Sequence, residues 1–358
     1  MIVVTADALR SLLSETFVAC GCEPDEATRV AASLVDANLA GHDSHGVVRT
    51  QRYVEWLQAG VHHAGRSVDV VIDGGAFLVL DGQYGLGHTI APQAVRLGIE
   101  RAKRHGVSIV ALRHSGHLGR VGQWAEMAAA DGLVSLHFVN VGSSRLVAPF
   151  GGISRRMATN PVCIAVPCGD RPPVVLDFAT SIVAEGKALV ALNGGAPLPE
   201  GSLITGDGRL TADPRALYGA VAPGEMPSGV GGSGALRAMG EHKGSGLSIM
   251  CELLAGALTG SGAAGPEVIP FCNGMLSVYL SPGHLTGGEA EQFHREVNDY
   301  IDWLKTARPA VGVDEVLAPG EPERRKKAKR LAEGIELPDD TWTSIVAAAA
   351  SVGVTAPA

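Results

Sequence analysis

The 358-residue chain is 46% hydrophobic and carries a formal charge of -8, so it can bury a core large enough for two domains, or for one with a large extension, and disorder is excluded. The acidic balance argues against broad nucleic-acid affinity. No apolar run reaches membrane-spanning length, and Met1-Ile2-Val3-Val4 has no basic stretch before it and is followed by Asp7 and Arg10, so neither an export signal nor an anchor is expected. Six cysteines, at positions 20, 22, 163, 168, 251 and 272, form no Cys-x-x-Cys pair. They read as reduced core thiols of a cytoplasmic protein.

In chain order, Thr5 is placed to cap a helix running through Leu9, Leu12, Leu13 and Phe17 and ending at Cys20-Gly21. Pro24 and Asp25 open a second helix with Ala27, Val30, Ala31, Leu34, Val35 and Leu39 as its apolar stripe. A polar, glycine-bracketed stretch follows, from Ala40 to Arg49. A helix starting at Ser44 places His45 and Arg49 on one face. The guanidinium can grip a carboxylate with its planar fork, while the imidazole takes a proton from a neighbouring hydroxyl, and Ser44 can orient either. The same residues also read as a capped helix start with two solvated side chains. Tyr53, Trp56 and Leu57 continue an apolar helical face to Ala59-Gly60.

Short extended runs at 68–71 and 77–80, around Asp73-Gly74-Gly75, mark a second region. Gly82, Gly85 and Gly87 precede a helix, but their spacing is not the dinucleotide fingerprint and no acid ends a well-placed following strand, so the ordinary Rossmann unit is rejected. Strand and helix then alternate at 107–112, 123–130 and 134–139. His114 and His117 follow the first of these strands. Their spacing lacks a zincin glutamate and a third ligand, so no metal is expected. Thr159-Asn160-Pro161 is either a turn before a strand or a ligand contact through an amide that both donates and accepts. Asp177, ending a strand ahead of Thr180 and Ser181, can orient His45 or a cofactor group, or cap a helix over 179–191.

Residues 193–235 are rich in Gly and Pro without a core-forming period, and read as a long loop that covers a site or meets a subunit. His242 and Lys243 begin a helix whose free amides, with the lysine ammonium, suit a phosphate; an ordinary helix start competes. The last strong strand spans 274–280. Residues 285–304 are helical, with Phe293, Tyr300 and Trp303 assigned to the core. The basic run from Arg324 to Arg330 reads as a solvated helical face. A final amphipathic helix over 338–350 is expected to return to the N-terminal helices.

Six stretches then combine in order: Gly41 to Arg49, His114-Ser115-Gly116-His117-Leu118-Gly119, Ala158-Thr159-Asn160-Pro161, Leu176-Asp177-Phe178-Ala179-Thr180-Ser181, Glu241-His242-Lys243-Gly244 and Pro319-Gly320-Glu321-Pro322. Together they resemble the type-2 malate/L-lactate dehydrogenase family, most of all its bacterial hydroxycarboxylate dehydrogenase B branch, which shares the longer Gly41-His42-Asp43-Ser44-His45-Gly46 form. The resemblance implies an α/β protein with a non-Rossmann nicotinamide-binding fold and a helical domain built from both chain ends. Its parts are residues 1–67, the N-terminal helical region with the catalytic signature; 68–282, the central cofactor-binding domain including the 193–235 excursion; and 283–358, a C-terminal helical region packing on the first.

The resemblance further implies reversible NAD(P)-dependent oxidation of a small 2-hydroxycarboxylic acid to the 2-oxo acid. Ser44, His45, Arg49, His117 and Asp177 are its catalytic residues, and Arg49, His117, Thr159 and Asn160 its substrate contacts. The cofactor falls to His117, Asn160, Asp177, Thr180, Ser181, His242, Lys243, Gly320 and Glu321. NAD is favoured over NADP, and a homodimer with sites near the subunit interface is expected. The other partner is a small carboxylate, with no nucleic acid or membrane. Reduction of a cyclic 2-imino acid is the enzymatic alternative; a non-catalytic small-acid-binding protein is the alternative outside enzymes.

Overall fold

The computed structural model describes residues 1–192, 196–220, 230–267 and 270–356. β1 (Ile2–Val4) leads into α1 (Ala6–Ala19), where Ala8 N donates to Thr5 Oγ1 at 3.2 Å, the cap the sequence predicts. α2 (Pro24–Leu39) opens on its proline. Two 3₁₀ turns, Asp43–His45 and Val47–Arg49, lead to α3 (Thr50–Gln58). Leu9, Leu13, Phe17, Val30, Leu34 and Tyr53 face one another in a first core.

The chain then forms β2 (Asp69–Asp73), β3 (Phe77–Asp81), α4 (Gly87–His105), β4 (Val107–Ser115), α5 (Gly122–Ala130), β5 (Val134–Val141), β6 (Val147–Ala148), β7 (Pro161–Cys168) and β8 (Arg171–Ala179). Next come α6 (Glu185–Leu192), β9 (Leu203–Ile204), β10 (Leu210–Thr211), α7 (Arg215–Tyr218), β11 (Ala235–Arg237), α8 (His242–Cys251), a π-helical segment (Glu252–Ala257) and β12 (Asn273–Leu280). The large sheet runs β2-β3-β4-β12-β5-β7-β8. Only β3 and β4 pair in parallel; every other neighbour is antiparallel. α4 and α5 pack on one face, and α8 with the π-helical segment on the other.

Register decides where function can sit. Asp81 is opposite Arg113, Asn273 is opposite both Ser115 and Val141, and Pro161 is opposite Ala179. The loops after β3, β4, β5 and β8, and those before β7 and β12, therefore leave the sheet along one edge. Gly82 and Gly87 admit this crowding: a Cβ on Gly82 would fall 3.0 Å from His114 O, and one on Gly87 2.1 Å from His117 O.

The 193–235 excursion differs from the expected loop. Its described residues contribute β9, β10 and the start of β11 to a four-stranded sheet, β10-β9-β11-β6, and α7, over a core of Val147, Met157, Leu203, Leu217, Tyr218 and Leu236. The apolar residues are too widely spaced to show a period because each short element supplies only one or two of them.

The remaining elements are α9 (Pro282–Leu285), α10 (Ala290–Lys305), α11 (Glu321–Glu333), β13 (Ile335–Leu337) and α12 (Asp339–Ser351). β13 pairs antiparallel with β1, α12 packs on α1 and α3, and α11 on α2, so both chain ends build the helical core. α10 does not join it. It lies against β7, held by Asn298 Nδ2 donating to Cys168 O at 3.2 Å and by the Arg171–Asp302 ion pair. The end of a sheet buries little of a helix, so Tyr300 and Trp303 remain 58% and 69% exposed instead of entering a core.

Candidate active site

Asn38, at the end of α2, determines the shape of the signature. Its Oδ1 accepts from Val47 N at 2.7 Å and its Nδ2 donates to Asp43 Oδ1 at 2.6 Å. A Cβ on Gly46 would meet Asn38 Oδ1 at 1.9 Å, so only glycine admits the clamp. The result corrects the continuous helix expected from Ser44: Gly46, at φ -93° and ψ -149°, separates the two 3₁₀ turns. From the far end of the chain, Arg330 donates to both Asp43 oxygens, at 2.6 and 3.1 Å, and to Asn38 O. Lys327 pairs with Asp36 of α2. The basic run of α11 is thus a brace for the signature as well as a solvated face.

His45 stacks on His117, with ring centroids 5.4 Å apart and planes 11° from parallel. His117 Nδ1 is 2.6 Å from Tyr53 Oη, which is also 3.2 Å from His88 Nε2. His45 Nδ1 is buried without a hydrogen-bond partner. Although a ring edge reaches solvent, burial and then the Arg49 guanidinium push the His45 pKa down to about 3. Burial, then His45 and Arg49, hold His117 well below the usual imidazole range. Both rings are neutral at physiological pH.

Arg49 Nε donates to Ser44 O at 2.6 Å, so the serine backbone, and not its hydroxyl, orients the guanidinium. Arg49 Nη2 lies 3.8 Å from Glu185 Oε2, a loose and part-exposed pair. Tyr218 Oη donates to Glu185 Oε1 at 2.7 Å, so the small sheet's core holds the carboxylate facing Arg49.

The other expected residues divide between two neighbourhoods. Asp177 Oδ2 accepts from Gly122 N at 2.7 Å. Burial raises its pKa, opposed by His42 and by the Gly122 N–H. It makes no bond to His45, so the proposed orienting role is not what this geometry provides. Thr180 N donates to Thr159 O at 2.9 Å, and Met239 N to Thr180 O at 2.9 Å, stitching the 159, 180 and 239 loops into one strip that ends at His242 and Lys243, both exposed.

Several expected ligand groups on this strip are already engaged. Thr180 Oγ1 donates to Thr159 O and Ser181 Oγ to Val183 O. Asn160 is fully buried, its Nδ2 donating to Glu252 Oε1 at 2.8 Å and to Ser248, while its Oδ1 has no hydrogen-bond partner, so half of the amide is engaged within the protein and the acceptor half is left over. Lys243 N and Gly244 N donate to Gly240 O and Met239 O, leaving fewer helix-start amides for a phosphate than the sequence suggests. Gly320 caps α11 and abuts Val175, while Glu321 accepts from Lys305 Nζ at 2.6 Å and from Ala318 N at 3.0 Å. Glu321 is thus the first residue of α11, engaged within the protein. His114 turns away from His117, its Nδ1 3.0 Å from Asp81 Oδ2 and its ring stacked on Tyr84.

The family model for malate/L-lactate dehydrogenase matches residues 4–346. The chain belongs to that family. It is 38% identical over 358 residues to hydroxycarboxylate dehydrogenase B of Escherichia coli K12, covering 98% of this chain and 94% of the relative. Its fold matches sulfolactate dehydrogenase from Methanocaldococcus jannaschii with a TM-score of 0.84, at 30% identity, over 99% of this chain and 98% of the other. Delta1-piperideine-2-carboxylate reductase from Pseudomonas syringae matches at 0.78 and 29% identity, over 97% and 100%.

In this malate/L-lactate dehydrogenase family member, the residues that sequence reasoning missed are Asn38, Tyr53, His88, Glu185, Tyr218 and Arg330. Tyr53 is hidden by its place on an apolar helical face, where its ring packs and only its hydroxyl is polar. A Gly-bracketed His-x-x-x-Arg preceded by asparagine is a signal for the clamp. Glu185, Tyr218 and Arg330 have no local signal, because each acts across the fold.

Proposed function

We propose that the chain catalyses reversible NAD(P)-linked oxidation of a small 2-hydroxycarboxylic acid to its 2-oxo acid, on a nicotinamide-binding sheet that is not a Rossmann unit. The observation that carries this reading is the pair of stacked, neutral imidazoles, His45 and His117, beside the Arg49 guanidinium. Arg49 takes the substrate carboxylate, with Glu185 giving way. Displacing a loose, part-exposed ion pair costs about 1 kcal/mol. His45 accepts the hydroxyl proton in oxidation and returns it in reduction. Burial is the larger cause of the low His45 pKa and the Arg49 charge the next; a bound carboxylate beside Arg49 offsets that second part and so moves the imidazole pKa upward, toward its working range.

The sheet edge fits a dinucleotide by its charge: an exposed ammonium at Lys243 with the His242 imidazole beside it at the start of α8. These residues, with the backbone at 159–160, 180–181 and 320, would hold the cofactor, and nicotinamide supplies hydride acceptance and donation. NAD is the favoured form. The exposed Ile249, Met250, Leu253 and Leu258 of α8 and the segment after it form an apolar face suited to a second copy, which supports a homodimer. No helix among the described residues is long and apolar enough to cross a membrane, and the six free thiols favour a cytoplasmic setting.

The test is a screen of 2-hydroxy and 2-oxo acids with NAD(H) and NADP(H), followed by nicotinamide absorbance and product analysis. Turnover of a hydroxy acid is expected, with higher kcat/KM for NAD; inactivity in both directions overturns the proposal. A cyclic 2-imino acid belongs in the same screen because of the structural likeness to the piperideine-carboxylate reductase, and preference for it would favour the reductase reading. Light scattering on the purified protein checks the dimer; a monomer at working concentrations removes it.

A further inference from the structure

Tyr53 meets the Nδ1 edge of His117, with His88 beyond it, and neither has a role in the reaction described above. Tyr53 is 2% and His88 1% exposed, so water does not mediate between them and solvent. The phenol bridges two imidazoles, 2.6 Å from His117 Nδ1 and 3.2 Å from His88 Nε2. It has one proton for two ring nitrogens. If it donates to one ring, the other ring must donate to it, so the three groups form a chain with a direction.

Two observations fix that direction. His88 Nδ1 is buried without a partner. If Tyr53 donated to His88, neutral His88 would have to carry its proton on Nδ1, as a buried N–H with no acceptor; the opposite direction leaves there only an unused lone pair. Orphaned buried donors are the rarer case in proteins and cost about 1–3 kcal/mol. Distances agree: hydroxyl donors make the shorter bonds and ring N–H donors the longer ones, and the short contact is the one to His117. His88 cannot swing to find another partner, because Gly119 packs on its ring so closely that a Cβ there would lie 2.3 Å from His88 Cε1.

We propose that Tyr53 and His88 are positioning residues that fix the tautomer of His117: His88 Nε2–H donates to Tyr53, Tyr53 O–H donates to His117 Nδ1, and His117 presents Nε2–H toward the substrate oxygen. This rests on the dehydrogenase reading for its consequence but not for its geometry. His117 is then a neutral hydrogen-bond donor that stabilises negative charge developing on the substrate oxygen. It is not a second base. Proton transfer is left to His45, whose Nδ1 has no partner and which has no phenol behind it to hold its proton on one nitrogen, so the two stacked imidazoles have different duties.

The test is long-range ¹H–¹⁵N correlation NMR on the full-length protein labelled at histidine, near neutral pH without substrate. The His117 signals are assigned by their loss in His117→Gln. Wild type is expected to show His117 and His88 both as Nε2–H tautomers, and Tyr53→Phe to shift His117 toward a mixture. Kinetics on Tyr53→Phe should show kcat reduced about tenfold with KM for the hydroxy acid changed much less. An Nδ1–H tautomer for His117 in wild type overturns the assignment, as does an unchanged His117 spectrum in a folded Tyr53→Phe protein. If the tautomers are as stated but no hydroxy acid is turned over, the dehydrogenase reading fails and the tautomer assignment stands.

Discussion

At and around the signature turn, groups are held by side chains of other elements: Asp43 by Arg330, the Val47 N–H by Asn38 and, opposite Arg49, Glu185 by Tyr218. Along the strip at 159–160, 180–181 and 239–244, polar groups bond mainly to backbone: Thr180 to Thr159, Ser181 to Val183 and Met239 to Thr180. The first arrangement leaves the reacting ends, the rings of His45 and His117 and the outer edge of Arg49, directed at one space. The second keeps its own amides and hydroxyls satisfied and offers a ligand chiefly exposed charge and shape. A site of this kind separates turnover from cofactor retention, and substitutions should reveal the separation.

The largest expected effect is at Arg49. Arg49→Lys keeps the charge and loses the fork, and kcat/KM for a carboxylate substrate should fall roughly 10²-fold; steady-state kinetics showing less than a few-fold loss would remove Arg49 from substrate recognition. Next is the brace. Arg330→Gln should lower kcat about tenfold with cofactor affinity retained, since misplacing a reacting group by a fraction of an ångström is enough. Equal losses in kcat and cofactor affinity would instead mean general damage. Glu185→Gln removes the carboxylate that competes for Arg49, and KM should drop about two- to fivefold; a raised KM would make Glu185 a substrate contact.

The smallest effect on turnover, and a separate one on stability, concerns acid. Burial pushes His45 and His137 down to about 3 and His62 and His88 to about 4. In the unfolded chain these groups titrate near ~6.5. Between the two ranges the unfolded state binds more protons, so stability is fully present above about pH 6.5 and falls as the pH drops below it. Thermal melts in salt-matched buffers from about pH 7 to pH 5 should show a falling Tm, and a flat profile would contradict the burial of neutral rings.

The helical core was readable because Leu9, Leu13 and Phe17, then Val30 and Leu34, repeat at the helical period, and a cap at Thr5 needs only three residues of context. Strand order was not readable. β12 is inserted between β4 and β5 by pairing Asn273 with Ser115 and Val141, far away in the chain. The same distance hid the rest of the site: Asp43 and Arg330 are 287 residues apart. His45 and Arg49 were visible as residue types suited to a hydroxy acid, while the break between them depends on a glycine pressed against Asn38. Glu321 shows the reverse, since a motif residue expected on a ligand bonds within the protein, and Asn160 does so through its Nδ2 alone.

The central claim, that proton transfer belongs to the signature turn and cofactor retention to the sheet edge, is tested most directly by comparing His45→Ala with Lys243→Ala. Both proteins are measured for kcat with a hydroxy acid and for cofactor Kd by fluorescence titration. His45→Ala should lose roughly 10²-fold or more in kcat with Kd unchanged, and Lys243→Ala should weaken cofactor binding about five- to tenfold with kcat at saturation largely kept. Near-wild-type kcat in folded His45→Ala, or a loss of cofactor binding in that variant as large as in Lys243→Ala, would contradict it.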